Sequence, residues 1–232
     1  YLAKTGYGVY REMVHNMFSH AGAVRIDHVL GLFRLWWIPQ GEGARGGAYV
    51  TYDYEAMIAI LTIEASRVNG LVVGEDLGTV PDYVRTVLGE HGLLGCMVEW
   101  FARVDDSPNA GDPYADPSTY RKYALASVTQ TAGYLQFEHV KLREQLHLLS
   151  GPVEEFQASA TAERDAMMDR LVESGLITPE VAGDVEGHIQ EIVEAMHKML
   201  LKSPSVLLQA ALVDGVGETR TQNQPGTSSE YS

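Results

Sequence analysis

The sequence predicts an α/β fold in which parallel strands alternate with amphipathic helices. Short apolar runs that end in charged residues recur along the chain, and between them lie segments with the apolar spacing of a helix. Strands that are joined through a helix run parallel, because the crossover returns the chain to the edge at which the previous strand began. In chain order we expect helices over 8–20 and 54–67, a helix after Pro81, and strands over 23–27, 71–76, 94–101, 123–129 and 205–214.

The first two helix–strand pairs are predicted by spacing and by turn residues. A helical stripe runs along residues 8–20 and is formed by Val9, Met13, Val14, Met17 and Phe18. Gly22 ends this helix before the first short strand. The second helix, over 54–67, ends before Asn69 and Gly70, which are typical of a turn, and the next apolar strand ends in two carboxylates.

The stretch 136–201 has a different character from the rest of the chain. It consists mostly of helix-forming residues, is broken near 150–152 and 175–179, and contains no clear strand. We interpret it as a helical insertion subdomain. The predicted domains are therefore strand–helix units over 1–135, the insertion over 136–201, and a last strand with a carboxyl-terminal loop over 202–232.

The composition excludes several classes of protein. The chain has 232 residues and a formal net charge of −14, which disfavours a nucleic-acid binder. Its apolar runs are shorter than the roughly 20 residues of a membrane span, and no basic segment followed by an apolar one opens the chain. Cys96 is the single cysteine, and no spacing resembles a metal site. We expect a cytoplasmic protein without a cofactor or a metal.

Charged residues at the ends of two predicted strands are the candidate chemistry. Strand alternation places Arg25 and Asp27 on one face, where the guanidinium can hold the carboxylate ionised; a buried structural ion pair is the alternative. Glu75 and Asp76 follow the apolar run of a later strand. An apolar setting would keep Glu75 protonated and suited to proton donation, whereas Asp76 alone could be a helix cap.

These two strand ends together predict an acid–base site. The carboxyl ends of parallel strands face the same side of a sheet, so Asp27 as nucleophile and Glu75 as general acid could act on one bond. Retaining glycoside chemistry uses such a pair at about 5–5.5 Å. Trp36 and Trp37 could stack on sugar rings nearby, but we favour a place in the core for them. The residues alone indicate a hydrolase or a transferase and no more.

Several segments, taken in order along the chain, resemble the amylomaltases, the bacterial 4-α-glucanotransferases of glycoside hydrolase family 77. The first segment is AGAVRIDHVLGLFRLWWIP over 21–39, and the next ones are GAYVTY over 47–52 and VVGEDLGTVP over 72–81. The resemblance continues with KYALASV and Thr129 over 122–129, KSPS over 202–205 and RTQNQPGT over 220–227. The match extends over nearly the whole chain, and several motifs in order are more specific than one alone.

The resemblance implies a fold and an activity. The chain would be the carboxyl-terminal portion of a (β/α)8 barrel with an inserted helical subdomain. The enzyme would transfer segments of α-1,4-glucan between maltooligosaccharides. Asp27 would be the nucleophile, Glu75 the general acid/base, and Arg25 the residue that orients Asp27.

Other residues would contact the sugar. The resemblance implies that His28 lines the adjoining subsite, and we also place Asp76 and Trp36 among the residues that bind the substrate, together with Arg25.

Two departures from the family pattern leave alternatives open. The family has a His-Asp pair after its seventh strand, and this sequence passes from Thr129 to Gln130 and Thr131 without one. Five strands also cannot close an eight-stranded barrel. We therefore expect the rest of its own barrel to be a partner of this chain, and we favour a piece of a longer enzyme. The alternatives are a catalytically inactive glucan-binding protein and an α-glucan hydrolase.

Overall fold

The computed structural model describes residues 2–101, 123–126, 130–222, 224 and 227. These residues form two compact units. The first contains the described residues up to Met97 together with Tyr123 and Ala124, and the second contains the remaining described residues from Val98 onward. The predicted boundaries at 135/136 and 201/202 do not coincide with this division of the packing and stay a prediction.

The first unit begins with helix α1 (Gly8–His20), which is followed by strand β1 (Ala23–Ile26). A two-stranded ribbon of β2 (Arg34–Trp37) and β3 (Ala48–Thr51) comes next. The unit continues with α2 (Tyr54–Arg67), β4 (Leu71–Gly74), α3 (Asp82–Glu90) and most of β5 (Gly95–Val98). The alternation of helices and strands in this part of the chain confirms the predicted α/β class.

The strands that position the candidate site run parallel and in register. β1 pairs with β4, with Ala23 opposite Leu71 and Ile26 opposite Gly74. A parallel bridge then joins Val73 of β4 to Leu94, just before β5. The ends of β1 and β4 are therefore level with each other, as the sequence predicts for βαβ units.

Gly74, the last residue of β4, allows the ends of β4 and β1 to pack closely against the turn that follows β1. A Cβ atom at this position would lie 2.9 Å from the Cγ2 atom of the fully buried Val29. Only glycine leaves room for that contact, which fixes the path of the chain at the carboxyl end of both strands.

The core of the first unit lies between the helices and this sheet. α1 contributes Val14 and Phe18, and α2 contributes Ile58 and Leu61, all of them buried. The Asp53 side chain accepts a hydrogen bond from the amide of Ala56 and so caps the start of α2. Part of the apolar stripe that predicts α1 faces the core, because Val14 and Phe18 are buried and Met17 is partly buried, whereas Val9 and Met13 are exposed.

The ribbon of β2 and β3 corrects one prediction. The interpretation of Trp36 and Trp37 as core residues of a loop is wrong, because both lie in β2 and are 45% and 58% exposed. β2 and β3 pair antiparallel, with Trp36 opposite Tyr49 and Trp37 opposite Ala48. The two tryptophans consequently point to opposite faces of a ribbon that is open to solvent on both sides.

The second unit is mainly helical. Its helices are α4 (Thr131–Leu135), α5 (Glu138–Gln145), α6 (Val153–Glu173), α7 (Pro179–Gly183) and α8 (Ile189–Leu200). The last two residues of β6 (Tyr123–Ala126) belong to this unit, and β7 (Leu207–Gln209) follows α8. One apolar cluster joins α4, α6, α7 and α8 through residues that include Leu171, Ile192 and Met196. The helical character that the sequence indicates over 136–201 matches these described helices.

Candidate active site

Main-chain hydrogen bonds hold the ends of β1 and β4 side by side. The amide of Glu75 donates to the carbonyl oxygen of Ile26, and the amide of Val29 donates to the carbonyl oxygen of Glu75, each at 2.9 Å. Glu75 thus lies next to Asp27 across the two strands. Since residues in register on parallel strands point to the same face, the two side chains emerge on one side of the sheet.

Arg25 and Asp27 form an ion pair at the surface. Arg25 Nη1 donates to Asp27 Oδ1 at 2.7 Å, and the Asp27 side chain is 79% exposed. The Arg25 guanidinium also contacts the Cys96 thiol; although partial burial lowers the pKa of Arg25, these two partners raise it overall. The alternative of a buried structural pair is therefore wrong, and the Asp27 carboxylate is open to a ligand.

The Glu75 carboxyl group is held by two backbone amides. His28 N donates to Oε2 at 2.9 Å, and Leu77 N donates to Oε1 at 2.8 Å. The side chain is half-buried, and these polar contacts differ from the apolar setting that the sequence indicates. His28 has a φ of 48°, a left-handed conformation that is uncommon outside glycine and that aims its amide at Glu75.

Asp76 lies on the opposite side of the chain from Glu75 and points inward. It is 3% exposed, and its Oδ1 atom accepts a hydrogen bond from Cys96 N at 2.7 Å. Arg85 Nε of α3 donates to Oδ2 at 3.3 Å. Burial raises the pKa of Asp76, while the Cys96 amide and Arg85 act in the other direction. The structure therefore gives Asp76 protein partners in a buried place, which contradicts its expected contact with substrate. It does not cap a helix either, because α3 begins at Asp82.

The two tryptophans differ in their relation to this site. Trp36 packs edge-on against Tyr49, and its indole nitrogen donates to the carbonyl oxygen of Ala44 at 2.9 Å. The opposite face of the ribbon carries Leu35 and Trp37. Leu35 Cδ2 lies 3.4 Å from the Cβ position of Gly31, and His28 Cδ2 lies 3.9 Å from the same point. The face with Trp37 is thus the one turned toward His28.

Among the residues that the structure describes, no three or more His, Cys, Asp or Glu side chains are grouped so as to hold a metal ion. Within the same residues, no helix is long and apolar enough to cross a membrane.

A family of known proteins matches this chain along its whole length. The family model described as 4-alpha-glucanotransferase, of glycoside hydrolase family 77, matches residues 1–232. The chain belongs to this family. The membership confirms the resemblance that the motifs around Asp27 and Glu75 indicate.

Relatives in the family are similar to the chain over almost all of its length. The 4-alpha-glucanotransferase of Mycobacterium tuberculosis H37Rv is 48% identical over 235 residues, which cover 99% of this chain and 32% of the relative. That of Haemophilus influenzae is 33% identical over 240 residues, which cover 99% of this chain and 33% of the relative. The chain spans about a third of the length of these curated relatives.

Solved structures of the family share the fold. The amylomaltase from Corynebacterium glutamicum superimposes with a TM-score of 0.84 and 32% identity, covering 100% of this chain and 34% of that one. An amylomaltase from Streptococcus agalactiae, solved in complex with acarbose, has a TM-score of 0.67 and 16% identity, covering 98% and 40% of the two chains. The second likeness concerns the fold alone.

The sequence does not predict that Cys96 and Arg85, which belong to other elements, contact residues at the ends of β1 and β4. The sequence shows Cys96 only as the single cysteine, and nothing in it connects Arg85 with the strand ends. Both contacts arise between residues that are distant along the chain, so spacing gives no signal for them. The stretch 127–129, next to the expected place of the His-Asp pair, lies outside the described residues.

Proposed function

We propose that this chain carries the nucleophile and the general acid/base of a retaining 4-α-glucanotransferase. The observation that supports the proposal is the pairing of the strand ends, which brings Asp27 and Glu75 to one side of the sheet. Asp27 is exposed and ionically paired with Arg25, and the Glu75 carboxyl group is oriented by two amides.

In the first step Glu75 donates its proton to the glycosidic oxygen of an α-1,4-glucan. The bond from C1 to that oxygen breaks, and an Asp27 oxygen forms a bond to C1 on the opposite face. Arg25 orients the Asp27 carboxylate, because its Nη1 atom donates a hydrogen bond to Oδ1 at 2.7 Å. The shortened glucan leaves as an alcohol.

In the second step Glu75, now a carboxylate, takes the proton from a hydroxyl group of an acceptor maltooligosaccharide. The acceptor oxygen then displaces Asp27 at C1, so the configuration is retained. Water in place of the acceptor would give hydrolysis. Transfer requires that an acceptor sugar competes successfully with water at this position.

The side chains around the two carboxylates supply candidate sugar contacts. His28 follows the nucleophile directly and is exposed, and Trp36 stays a proposed substrate contact. We add Trp37, whose indole nitrogen donates to the Tyr52 hydroxyl at 2.6 Å, because a ring held in this way and 58% exposed is ready to stack on a sugar.

The tryptophan assignments can be separated by a matched pair of variants. Trp37→Ala should raise KM for maltooligosaccharide acceptors more than Trp36→Ala, because the face with Trp37 is the one turned toward His28. Initial rates at several acceptor concentrations measure both values. A larger increase of KM for Trp36→Ala would favour Trp36 as the tryptophan that binds the substrate.

We further propose that the activity needs residues beyond these 232. The curated relatives are about three times as long, and the parallel strands described in this chain are too few to close an eight-stranded barrel. Their alignments with this chain extend over 235 and 240 positions, more than the 232 residues of this chain. The relatives therefore contain residues that have no counterpart in this chain. A His-Asp pair near 129–131 is a candidate for such residues.

Incubation of the full-length enzyme with maltotriose tests the proposed activity. A ladder of longer and shorter oligosaccharides plus glucose indicates transfer, and chromatography of the products measures it. Products no longer than the substrate would indicate an α-glucan hydrolase. Binding of maltotriose without any product would indicate an inactive glucan-binding protein. The names of the relatives favour neither alternative.

A further inference from the structure

We propose that Asp76 is a positioning residue that fixes the backbone around Glu75 and thereby aims the Glu75 carboxyl group at the leaving oxygen. The inference rests on the proposed acid/base function of Glu75. It also replaces the expected role of Asp76, since a side chain 3% exposed and hydrogen-bonded within the protein is not available to a sugar.

The Asp76 side chain takes over the hydrogen-bond ladder at the end of β4. The ladder runs from Leu94 N to the carbonyl of Val72 at 2.9 Å and from Gly74 N to the carbonyl of Leu94 at 2.7 Å. In a regular parallel pair the next donor, Cys96 N, would bind the carbonyl of Gly74. It donates instead to Asp76 Oδ1 at 2.7 Å. The carboxylate thus ends the ladder and sets where the chain leaves the sheet.

Arg85 of α3 holds the same residue from a second direction. Its Nε atom donates to Asp76 Oδ2 at 3.3 Å, and its Nη2 atom donates to the main-chain oxygen of Asp76 at 3.3 Å. Nη1 reaches the carbonyl of Val80 at 3.5 Å. Side chain and main chain of Asp76 are therefore both anchored, and a buried charge anchored by several donors has little freedom to rotate.

This anchoring acts on Glu75 through its two neighbours. On one side Gly74 is fixed in β4, and on the other side Asp76 is fixed by Cys96 and Arg85. Leu77, which follows Asp76, donates its amide to Glu75 Oε1 at 2.8 Å. The direction of that amide depends on the peptide plane after Asp76, so loss of the Asp76 contacts would turn the donor that orients the catalytic carboxyl group.

The test uses Asp76→Asn in the full-length enzyme with two donors that differ in their need for a proton. The substitution keeps the shape but removes the charge, and the single oxygen of the new side chain can accept a hydrogen bond from Cys96 N or from Arg85 but not from both. With maltotriose the leaving oxygen needs the Glu75 proton. With α-maltosyl fluoride the fluoride ion leaves without one. Rapid-quench measurement of the first turnover gives the rate of the first step for each donor.

If Asp76 positions Glu75, the maltotriose rate falls by about tenfold, which is part of the roughly 10²–10⁴-fold that a general acid contributes. The fluoride rate and KM for maltotriose change by less than about twofold. Equal losses with both donors would overturn the proposal, because a damaged fold or a displaced Asp27 affects both reactions. Unchanged rates with both donors would overturn it as well.

Two further variants serve as a control and as a second path to the same answer. Asp82→Asn makes the same chemical change at an exposed position of α3 and should leave both rates unchanged. If Asp76→Asn does not fold, Arg85→Gln removes the guanidinium while keeping the bond from Cys96 N to Asp76. It should show the same selective loss on a smaller scale, and a loss that does not distinguish the donors would count against the proposal.

Glu75→Gln separates a failure of this inference from a failure of the proposed function. It should lose the maltotriose reaction and retain the release of fluoride. If Glu75→Gln shows no preference for the fluoride, the acid/base assignment itself is wrong. If it shows the preference and Asp76→Asn does not, only the positioning role is wrong.

Discussion

The two units of the chain each contain an aspartate that is hydrogen-bonded within the protein, and the two aspartates differ in their exposure. In the first unit the Asp27 side chain is 79% exposed and is paired with Arg25. In the second unit the Asp214 side chain is 1% exposed. Asp214 accepts hydrogen bonds from the amide and the hydroxyl of Thr131, at 2.8 and 2.9 Å, and lies 3.5 Å from His197 Nε2.

The difference in exposure predicts a difference in purpose. An exposed ion pair contributes little to stability because water screens it, so the Arg25–Asp27 pair leaves its carboxylate available for chemistry at small structural cost. A buried carboxylate must be matched by donors, and removal of either side leaves an unsatisfied group inside the protein. Asp214 therefore ties the start of α4 to the segment after β7 and is structural.

Replacement of Asp27 tests the functional side of this comparison and has the largest expected effect. We expect Asp27→Asn to lower the transfer rate of the full-length enzyme by roughly 10⁴-fold or more, as removal of a catalytic nucleophile does. The free energy of unfolding should change by less than about 0.5 kcal/mol, because the side chain is exposed.

Maltotriose turnover and urea denaturation measure the two quantities. Asp53→Ala offers a contrasting control, since it removes the cap of α2 and should affect stability and not chemistry. An Asp27→Asn protein with full turnover would contradict the assignment of the nucleophile.

Replacement of Asp214 tests the structural side. Asp214→Ala leaves the Thr131 amide without the carboxylate that it binds, and we expect a loss of about 3 kcal/mol in the free energy of unfolding. Chemical denaturation followed by a probe in the second unit measures the loss.

A matched control for Asp214 is Asp169→Ala, at an exposed position of α6. It should change stability by less than about 0.5 kcal/mol. Similar values for the two variants would mean that burial does not distinguish the aspartates in the way that we describe.

The sequence predicts features that depend on neighbouring residues, but it does not predict contacts between residues that are far apart along the chain. The apolar stripe of α1 and the run before Gly74 are local patterns, and both give the correct element. The place of Asp214 depends on a contact with Thr131, 83 residues away. The sequence indicated a strand over 205–214, but the structure has β7 over Leu207–Gln209 and a 3-10 turn over Leu212–Val216. Periodicity carries no information about such a distant partner.

The candidate site shows the same limit. Arg25 and Asp27 share a face because they are two residues apart in a strand, so their pairing is predictable. The burial of Asp76 is not, since it depends on Cys96 and on Arg85 of a following helix. The aromatic residues of β2 misled the interpretation, because large apolar side chains are usually buried and these lie on an open ribbon.

His139 of the second unit sharpens the comparison through pH. Its ring stacks on Tyr134 with centroids 4.0 Å apart, and burial, together with the nearby Arg143, lowers its pKa to about 4. The neutral ring is therefore the form that the folded state favours. Stability due to this histidine is present above the unfolded pKa of about 6.5 and is lost as the pH falls from there toward about 4.

We expect the loss from His139 between pH 7 and pH 5 to be about 1 kcal/mol, after allowance for the partial exposure of the ring. In His139→Phe that part of the pH dependence should disappear, and denaturation at pH 7 and pH 5 measures it. His20→Phe, at an exposed position of α1, should keep the dependence of the parent protein. A parent protein equally stable at both pH values would contradict the prediction.

Cys96 gives the smallest expected effect and links the exposed pair to its surroundings. Burial raises the pKa of the Cys96 thiol, Arg25 lowers it, and Asp76 and Glu75 raise it again. Little thiolate should therefore exist at pH 7, and iodoacetamide should modify Cys96 more slowly than it modifies glutathione.

In Asp27→Asn the Arg25 guanidinium loses the carboxylate that competes with the thiolate for it. The guanidinium can then stabilise the Cys96 thiolate, so the modification should become faster. Mass spectrometry of the peptide that contains Cys96 follows both rates in the full-length enzyme, and an Asp27→Asn rate equal to that of the parent would mean that Arg25 does not divide its charge between the two groups.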